Sequence, residues 1–149
     1  MFRLSKLADY GTVLVSHMAR QPGRTCSTAE LAVEAGISVA TAAKILKALA
    51  KRELVQSIRG TRGGYLLARA PEAISLGEVI EALDGPINVT ECGAGAGACR
   101  NESECRIRGN WRRLGRVIRD ALSDVSVADF ARPDFRPAAA AARSRRSNA

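Results

Sequence analysis

Residues 87–104 constrain the fold of this 149-residue chain more than any other stretch. The run Thr90-Glu91-Cys92-Gly93-Ala94-Gly95-Ala96-Gly97-Ala98-Cys99 is too rich in glycine to hold a helix or strand without outside help. A loop of this length inside a compact chain is usually functional or disordered. It also carries Cys92 and Cys99, and Cys105 follows directly, so three of the four cysteines lie within fourteen residues of one another. The loop divides a helix-rich first part from one long helix pattern near the end.

In the first part, Leu7, Tyr10 or Gly11, Leu14 and Met18 recur at helical spacing. Ser5 is placed to cap that helix, and Gln21-Pro22-Gly23 ends it. A second short helix starts at Ser27 or Thr28 and runs to about Ala35, and Ser27-Thr28-Ala29-Glu30 has the form of a capping box. Gly36 breaks it, and Ser38 caps a third helix from Val39 to about Arg52. Leu54 to Ile58 and Tyr65 to Ala68 read as two strands around the turn Arg59-Gly60-Thr61-Arg62-Gly63-Gly64. Ser75-Leu76-Gly77-Glu78 opens a further helix that closes at Asp84-Gly85-Pro86.

Two short helices joined at residues 35–37, followed by a hairpin, have the dimensions of a winged helix-turn-helix. The third helix would present Ser38, Thr41, Lys44 and Lys47 on a polar face, with Val39 among small alanines. Small and hydroxyl side chains let a helix lie close in a major groove, while lysine heads reach phosphates. Thr28, at the start of the preceding helix, joins this candidate set. Arg59 and Arg62 at the hairpin tip are suited to a minor groove or a phosphate. The competing reading is three ordinary packed helices with basic outer faces, which the order of elements and the charge disfavour.

That charge is unevenly placed. The chain carries a net +8, with 11 Lys/Arg against 4 Asp/Glu in residues 1–70, 7 against 10 in 71–131, and 5 against 1 in 132–149. A basic first part suits a polyanion such as double-stranded DNA. With 46% apolar and 26% charged residues the chain is too apolar for wholesale disorder, and 4% aromatics means an aliphatic core. No apolar run approaches the roughly 18–20 residues of a membrane span. The N-terminus lacks a long apolar h-region and a cleavage site. A reducing cytoplasm is therefore expected, where cysteines serve metals or redox sensing before disulfides.

The cysteine spacings of six and five residues are not those of a zinc finger. A loop with little side-chain bulk can wrap an inorganic cluster, and thiolates are the ligands such clusters take. Most such sites need four ligands, so three cysteines leave one to be recruited; zinc and three incidental thiols are the other readings. Cys26 reads as a small, part-buried residue, with a redox role as the alternative. His17 reads as a core or capping residue, with ligation as the alternative.

The last pattern is a helix from about Glu104 to Ser123, in which Ile107, Trp111, Leu114, Ile118 and Leu122 form a stripe of coiled-coil type. The opposite face is rich in arginine. The stripe exceeds what one small domain needs for its core, so a dimer through residues 104–123 is expected, with packing inside the subunit as the alternative. The resulting division is 1–70 for the winged helix-turn-helix, 71–103 for a linker helix and cysteine loop, 104–131 for the dimerisation helix, and 132–149 for a disordered basic tail. The fold class is mainly α with a small β-hairpin wing. No nucleophile–base pair or phosphate-cradling loop points to an enzyme.

Together these residues resemble the Rrf-type winged-helix iron–sulfur regulators, the group that includes the IscR, NsrR and SUF-operon regulator branches. The marks are Phe2-Arg3-Leu4-Ser5-Lys6-Leu7-Ala8-Asp9-Tyr10, Ile37-Ser38, the wing from Arg59 to Tyr65, and Cys92, Cys99 and Cys105. Leu76 to Pro86 and Arg108-Gly109-Asn110-Trp111 look most like the SUF-regulator branch. The resemblance implies a homodimer with crossing C-terminal helices, an operator in double-stranded DNA, and a [4Fe-4S] or [2Fe-2S] cluster on the three cysteines. It implies no membrane and no small-molecule substrate as partners. IscR-like members carry a histidine three residues after the last cysteine, where this chain has Arg108, whose guanidinium cannot ligate. NsrR-like members use a carboxylate near the partner's N-terminus, a position that Asp9 matches; Glu91, Glu102, Glu104, His17 and water are the rivals. Ala43 stands where IscR-like sequences carry a glutamate in the recognition helix, so operator preference does not transfer from that branch. The implied function is control of SUF-type cluster-assembly genes by cluster status. Nitric-oxide or redox sensing with the same cluster, and a cluster carrier that binds no DNA, are the alternatives.

Overall fold

The helix starts are written in serines. Ser5, Ser27, Ser38 and Ser75 each stand in an extended conformation, with the hydroxyl accepting the backbone N–H three residues on. From them run α1 (Lys6–Ala19), α2 (Thr28–Ala35), α3 (Val39–Lys51) and α4 (Leu76–Asp84). The computed structural model describes residues 3–101 and 103–137, with the Cys92 side chain left aside. Two strands, β1 (Val55–Ile58) and β2 (Gly64–Leu67), pair antiparallel with Val55 opposite Leu67 and Ile58 opposite Gly64. The later helices are α5 (Arg108–Ser123) and the single-turn α6 (Val127–Phe130). This is a winged helix-turn-helix with a long C-terminal helix, mainly α, as the sequence leads one to expect.

One buried face from each element builds the core. Leu14, Val15 and Met18 of α1 meet Leu31 of α2 and Ile45, Leu46 and Leu49 of α3. Leu54 and Val55 close it from the wing side, Ile74 from the turn before α4 and Val79 from α4. Each fully buried aliphatic side chain of this kind contributes roughly 1.5–3 kcal/mol relative to exposure. A smaller cluster of Leu76, Ile80 and Ile87 takes Ile118 and Leu122 from α5.

Four details differ from the sequence reading. The first S-x-x-E signature is only half a capping box: Ser27 caps α2, but the Glu30 carboxylate turns to Arg24 and His17. The second closes on both sides, because Glu78 Oε2 accepts the Ser75 N–H at 2.8 Å. The last long helix begins at Arg108, four residues later than its apolar spacing indicates, because residues 104–107 are turns. Beyond it lies α6, capped by Ser126 through Asp129 N. Val127 of α6 is 1% exposed in the main core, so the chain returns from α5 to the winged-helix half. The basic tail beyond residue 137 lies outside the described residues; before it, Phe135 packs edge-on against Phe130 with ring centres 5.7 Å apart.

Candidate nucleic-acid interface and cysteine segment

The turn between α2 and α3 depends on Gly36, whose φ of +64° is one that L side chains avoid, with open space around it. Its N–H and that of Ile37 close the end of α2 on the carbonyls of Val33 and Ala32. The chain then enters α3 through Ser38, whose Oγ lies 2.8 Å from Thr41 Oγ1. Both hydroxyls thus sit at the exposed start of α3. Val39 is exposed beside them, and Lys44 and Lys47 stand exposed further along the same helix. Thr28, at the first position of α2, is half-buried. The recognition candidates are therefore brought to one solvent-facing helix, apart from Thr28, which belongs to the helix before it.

The wing carries Arg59 and Arg62 in the exposed turn between β1 and β2. Its base is held by a backbone bridge to the loop before α2. Cys26 N–H donates to Tyr65 O, and Tyr65 N–H to Cys26 O, both at 2.8 Å. Only glycine fits beside this bridge, since a Cβ on Gly64 would lie 2.2 Å from Cys26 O. The wing is thereby fixed against the helix-turn-helix and presents its arginines from a rigid base.

Two pinned points lead into the cysteine segment. At its start Ile87 is buried, and Arg119 Nη1 of α5 donates to Ile87 O at 2.9 Å. Just before it, the Asp84 carboxylate at the end of α4 accepts the Ser5 N–H at 3.0 Å and the Ser5 hydroxyl. Cys92 falls on the 3-10 turn Glu91–Gly93, and its side chain lies outside the described residues. Cys99 and Cys105 are half-buried in the turns that follow. Cys105 sits just ahead of α5: its carbonyl accepts the Arg108 N–H at 3.3 Å. Asp9 is exposed on the first turn of α1. Glu102 lies outside the described residues, and Glu91 and Glu104 are exposed. The backbone through this segment is made of turns, which suits wrapping a bulky group, and its thiols are the donors that an iron–sulfur cluster takes.

Sequence reasoning treated His17 and Cys26 singly. They meet Glu30, and one donor atom from each lies within 4.8 Å of the others. Periodicity could not find this cluster, because its members come from two helices and the loop between them.

Comparison with known proteins bears on the whole chain. The Rrf2 family profile, described as an iron-dependent transcriptional regulator, matches residues 4–133. The HTH-type transcriptional regulator IscR of Sodalis glossinidius is 32% identical over 129 residues, covering 86% of this chain and 78% of that protein. IscR of Erwinia tasmaniensis is 36% identical over 102 residues, 68% of this chain, and the match spans only 61% of that relative's length. Among solved structures, CymR (YrzC), the global cysteine regulator of B. subtilis, superposes with a TM-score of 0.74 at 28% identity, covering 88% of this chain and 97% of that one. IscR of T. potens gives 0.68 at 25% identity, covering 87% and 85%. These relatives are transcriptional regulators rather than enzymes, and no helix among the described residues is long and apolar enough to cross a membrane. A family match over nearly the whole chain, on a winged-helix fold shared with solved members, places this chain in the Rrf2 family of transcriptional regulators.

Proposed function

We propose that this regulator binds operator DNA as a homodimer and reads the status of an iron–sulfur cluster to control SUF-type cluster-assembly genes. Ser38, Val39, Thr41, Lys44 and Lys47 would enter or flank the major groove, with Thr28 beside them, and Arg59 and Arg62 would hold the adjacent minor groove or its phosphates. Cys92, Cys99 and Cys105 would supply three thiolates, and Asp9 of the partner subunit the fourth ligand. A bound cluster would supply an oxidisable inorganic group with one oxygen-ligated corner, weaker than the three thiolate corners. The observation that carries the reading is the Ser5–Asp84 clip. It joins the start of α1, in the DNA-reading half, to the residues that lead into the cysteine segment. A change at that segment therefore has a short path to the winged helix.

The reading is tested by gel shift with the anaerobically purified protein, with and without its metal, alongside the alanine variants of Arg59, Arg62 and Lys44. Each lost phosphate contact should weaken binding and flatten its salt dependence by roughly one unit of logarithmic slope. Unchanged affinity and slope in all three variants would overturn the DNA-contact assignment. Equal DNA binding by the metal-loaded and metal-free protein would overturn cluster sensing.

A further inference from the structure

We propose that His17, Cys26 and Glu30 form a second metal site, suited to one zinc ion, in the DNA-reading half of the molecule. The three side chains converge from the last turn of α1, the loop after it and the first turn of α2. His17 Nε2 lies 3.5 Å from Glu30 Oε1, and the three donor atoms lie within 4.8 Å of one another. Donors around a tetrahedral zinc stand roughly 3.4–3.7 Å apart, given bonds of about 2.0–2.3 Å. Closure on an ion thus asks for a movement of about 1 Å, which side-chain rotation supplies. One imidazole, one thiolate and one carboxylate make a borderline donor set, which zinc takes and the hard cations magnesium and calcium do not.

Two further features suit the site to a cation. His17 Nδ1 is buried and makes no hydrogen bond, while Glu34 Oε1 lies 3.3 Å away, one helical turn beyond Glu30. A ligating histidine ordinarily directs its other ring N–H to such a carboxylate, which fixes the ring for the metal. A positive group also already stands there. Arg24 Nη1 donates to Glu30 Oε1 at 2.6 Å and lies 4.0 Å from Cys26 Sγ. The Arg24 side chain is 46% exposed, so an incoming ion can displace it into solvent. Burial pushes the Cys26 thiol above its ordinary value, so the metal-free thiol keeps its proton. Zinc binding would replace that S–H bond with a Zn–S bond and release the proton to solvent, with no change of oxidation state.

The position gives the ion mechanical reach. Cys26 is bridged through its backbone to Tyr65 of the wing, so an ion here would tie α1, α2 and the wing together. The site stands whether or not the cysteine segment holds a cluster, and its test counts metal rather than DNA.

The experiment uses full-length protein in which Cys92, Cys99 and Cys105 are all alanine, so that the remaining thiol is Cys26. Zinc content by elemental analysis, affinity by competition with a chromogenic zinc chelator, and the thiolate-to-metal band of the cobalt form are measured. We expect one zinc per chain and a cobalt–thiolate band. Glu30→Gln should weaken affinity on the order of 10- to 100-fold. Arg24→Ala should strengthen it, because the competing cation is gone; a purely structural role for the cluster predicts no such gain. At one zinc concentration the ion should raise the thermal midpoint of the parent protein more than that of Glu30→Gln. No bound zinc in a folded parent, or equal zinc affinity in the parent and Glu30→Gln, overturns the site. Should the triple variant fail to fold, the same chelator competition is run on the protein with all four cysteines, in which Glu30→Gln must weaken one zinc equivalent per chain on the order of 10- to 100-fold; no difference overturns the site there too.

Discussion

At the scale of single residues, Gly64 shows how one atom can control a functional surface. Its missing Cβ lets the β2 strand lie against the Cys26 carbonyl, 2.2 Å from where that carbon would stand. The obstacle is backbone on both sides, so no side chain can swing aside. Gly64→Ala should break the Cys26–Tyr65 bridge and cost about 1–3 kcal/mol by overpacking. Denaturant unfolding checks the stability, and hydrogen exchange at the Tyr65 amide should speed up; native stability with slow exchange would show that the bridge does not depend on this glycine. The sequence shows Gly63-Gly64 as turn residues and does not show the close approach, which depends on Cys26, 38 residues upstream. The serine caps were legible, because a hydroxyl three residues before a free amide is a local signal. The fate of the following glutamate was not. Glu78 folds back on Ser75, while Glu30 has Arg24 and His17 within reach and leaves its cap. Arg24 also holds the Glu30 carboxyl below the usual carboxylate range.

At the scale of elements, α5 divides the apolar stripe that periodicity assigns to it as one surface. Ile118 and Leu122 face their own subunit, packed with Leu76, Ile80 and Ile87. Ile107 and Leu114 are 53% and 45% exposed, and Val117, absent from the stripe, is 63% exposed. A spacing rule cannot separate these faces, since Leu114 and Ile118 lie four residues apart, about 40° around the helix, and both are apolar. If two copies pair through α5, the residues that do so are Ile107, Leu114 and Val117. Leu114→Arg and Val117→Arg should each yield a folded monomer by sedimentation at micromolar concentration, since a charge there is unburied in the single subunit. Ile118→Arg should instead lower the thermal midpoint, because it places a guanidinium in the small cluster. Dimers that survive both outer substitutions would assign the exposed face another role. Helix α6 was hidden for a different reason: four residues carry no period, and only the Ser126–Asp129 cap signal marks it.

At the scale of the whole molecule, the chain runs out from the winged helix and comes back. Helix α4 packs on α1 and α3 and carries α5 on its other side, and Val127 of α6 returns the backbone to the core against α1. Helix α1 is thus shared: one face lines the winged-helix core, its capping residue Ser5 is clipped to Asp84, and Asp9 stands exposed in its first turn. If Asp9 of the partner subunit ligates the cluster, the bond crosses the dimer and sets the angle between two recognition helices. Carboxylate oxygen holds iron less firmly than thiolate, so its loss leaves the three-thiolate attachment in place. The expected pattern in Asp9→Ala is therefore selective. The visible absorption of the cluster should develop, as it should not when any of the three cysteines is replaced. It should then decay faster in air than in the parent protein, and DNA affinity should no longer follow cluster content. Because Asp9 is exposed, alanine there should leave the thermal midpoint of the metal-free chain nearly unchanged, which separates a lost ligand from a damaged fold. A variant with parental spectra, parental lifetime in air and cluster-dependent DNA binding would place the fourth ligand elsewhere, while the three cysteines could still hold the cluster.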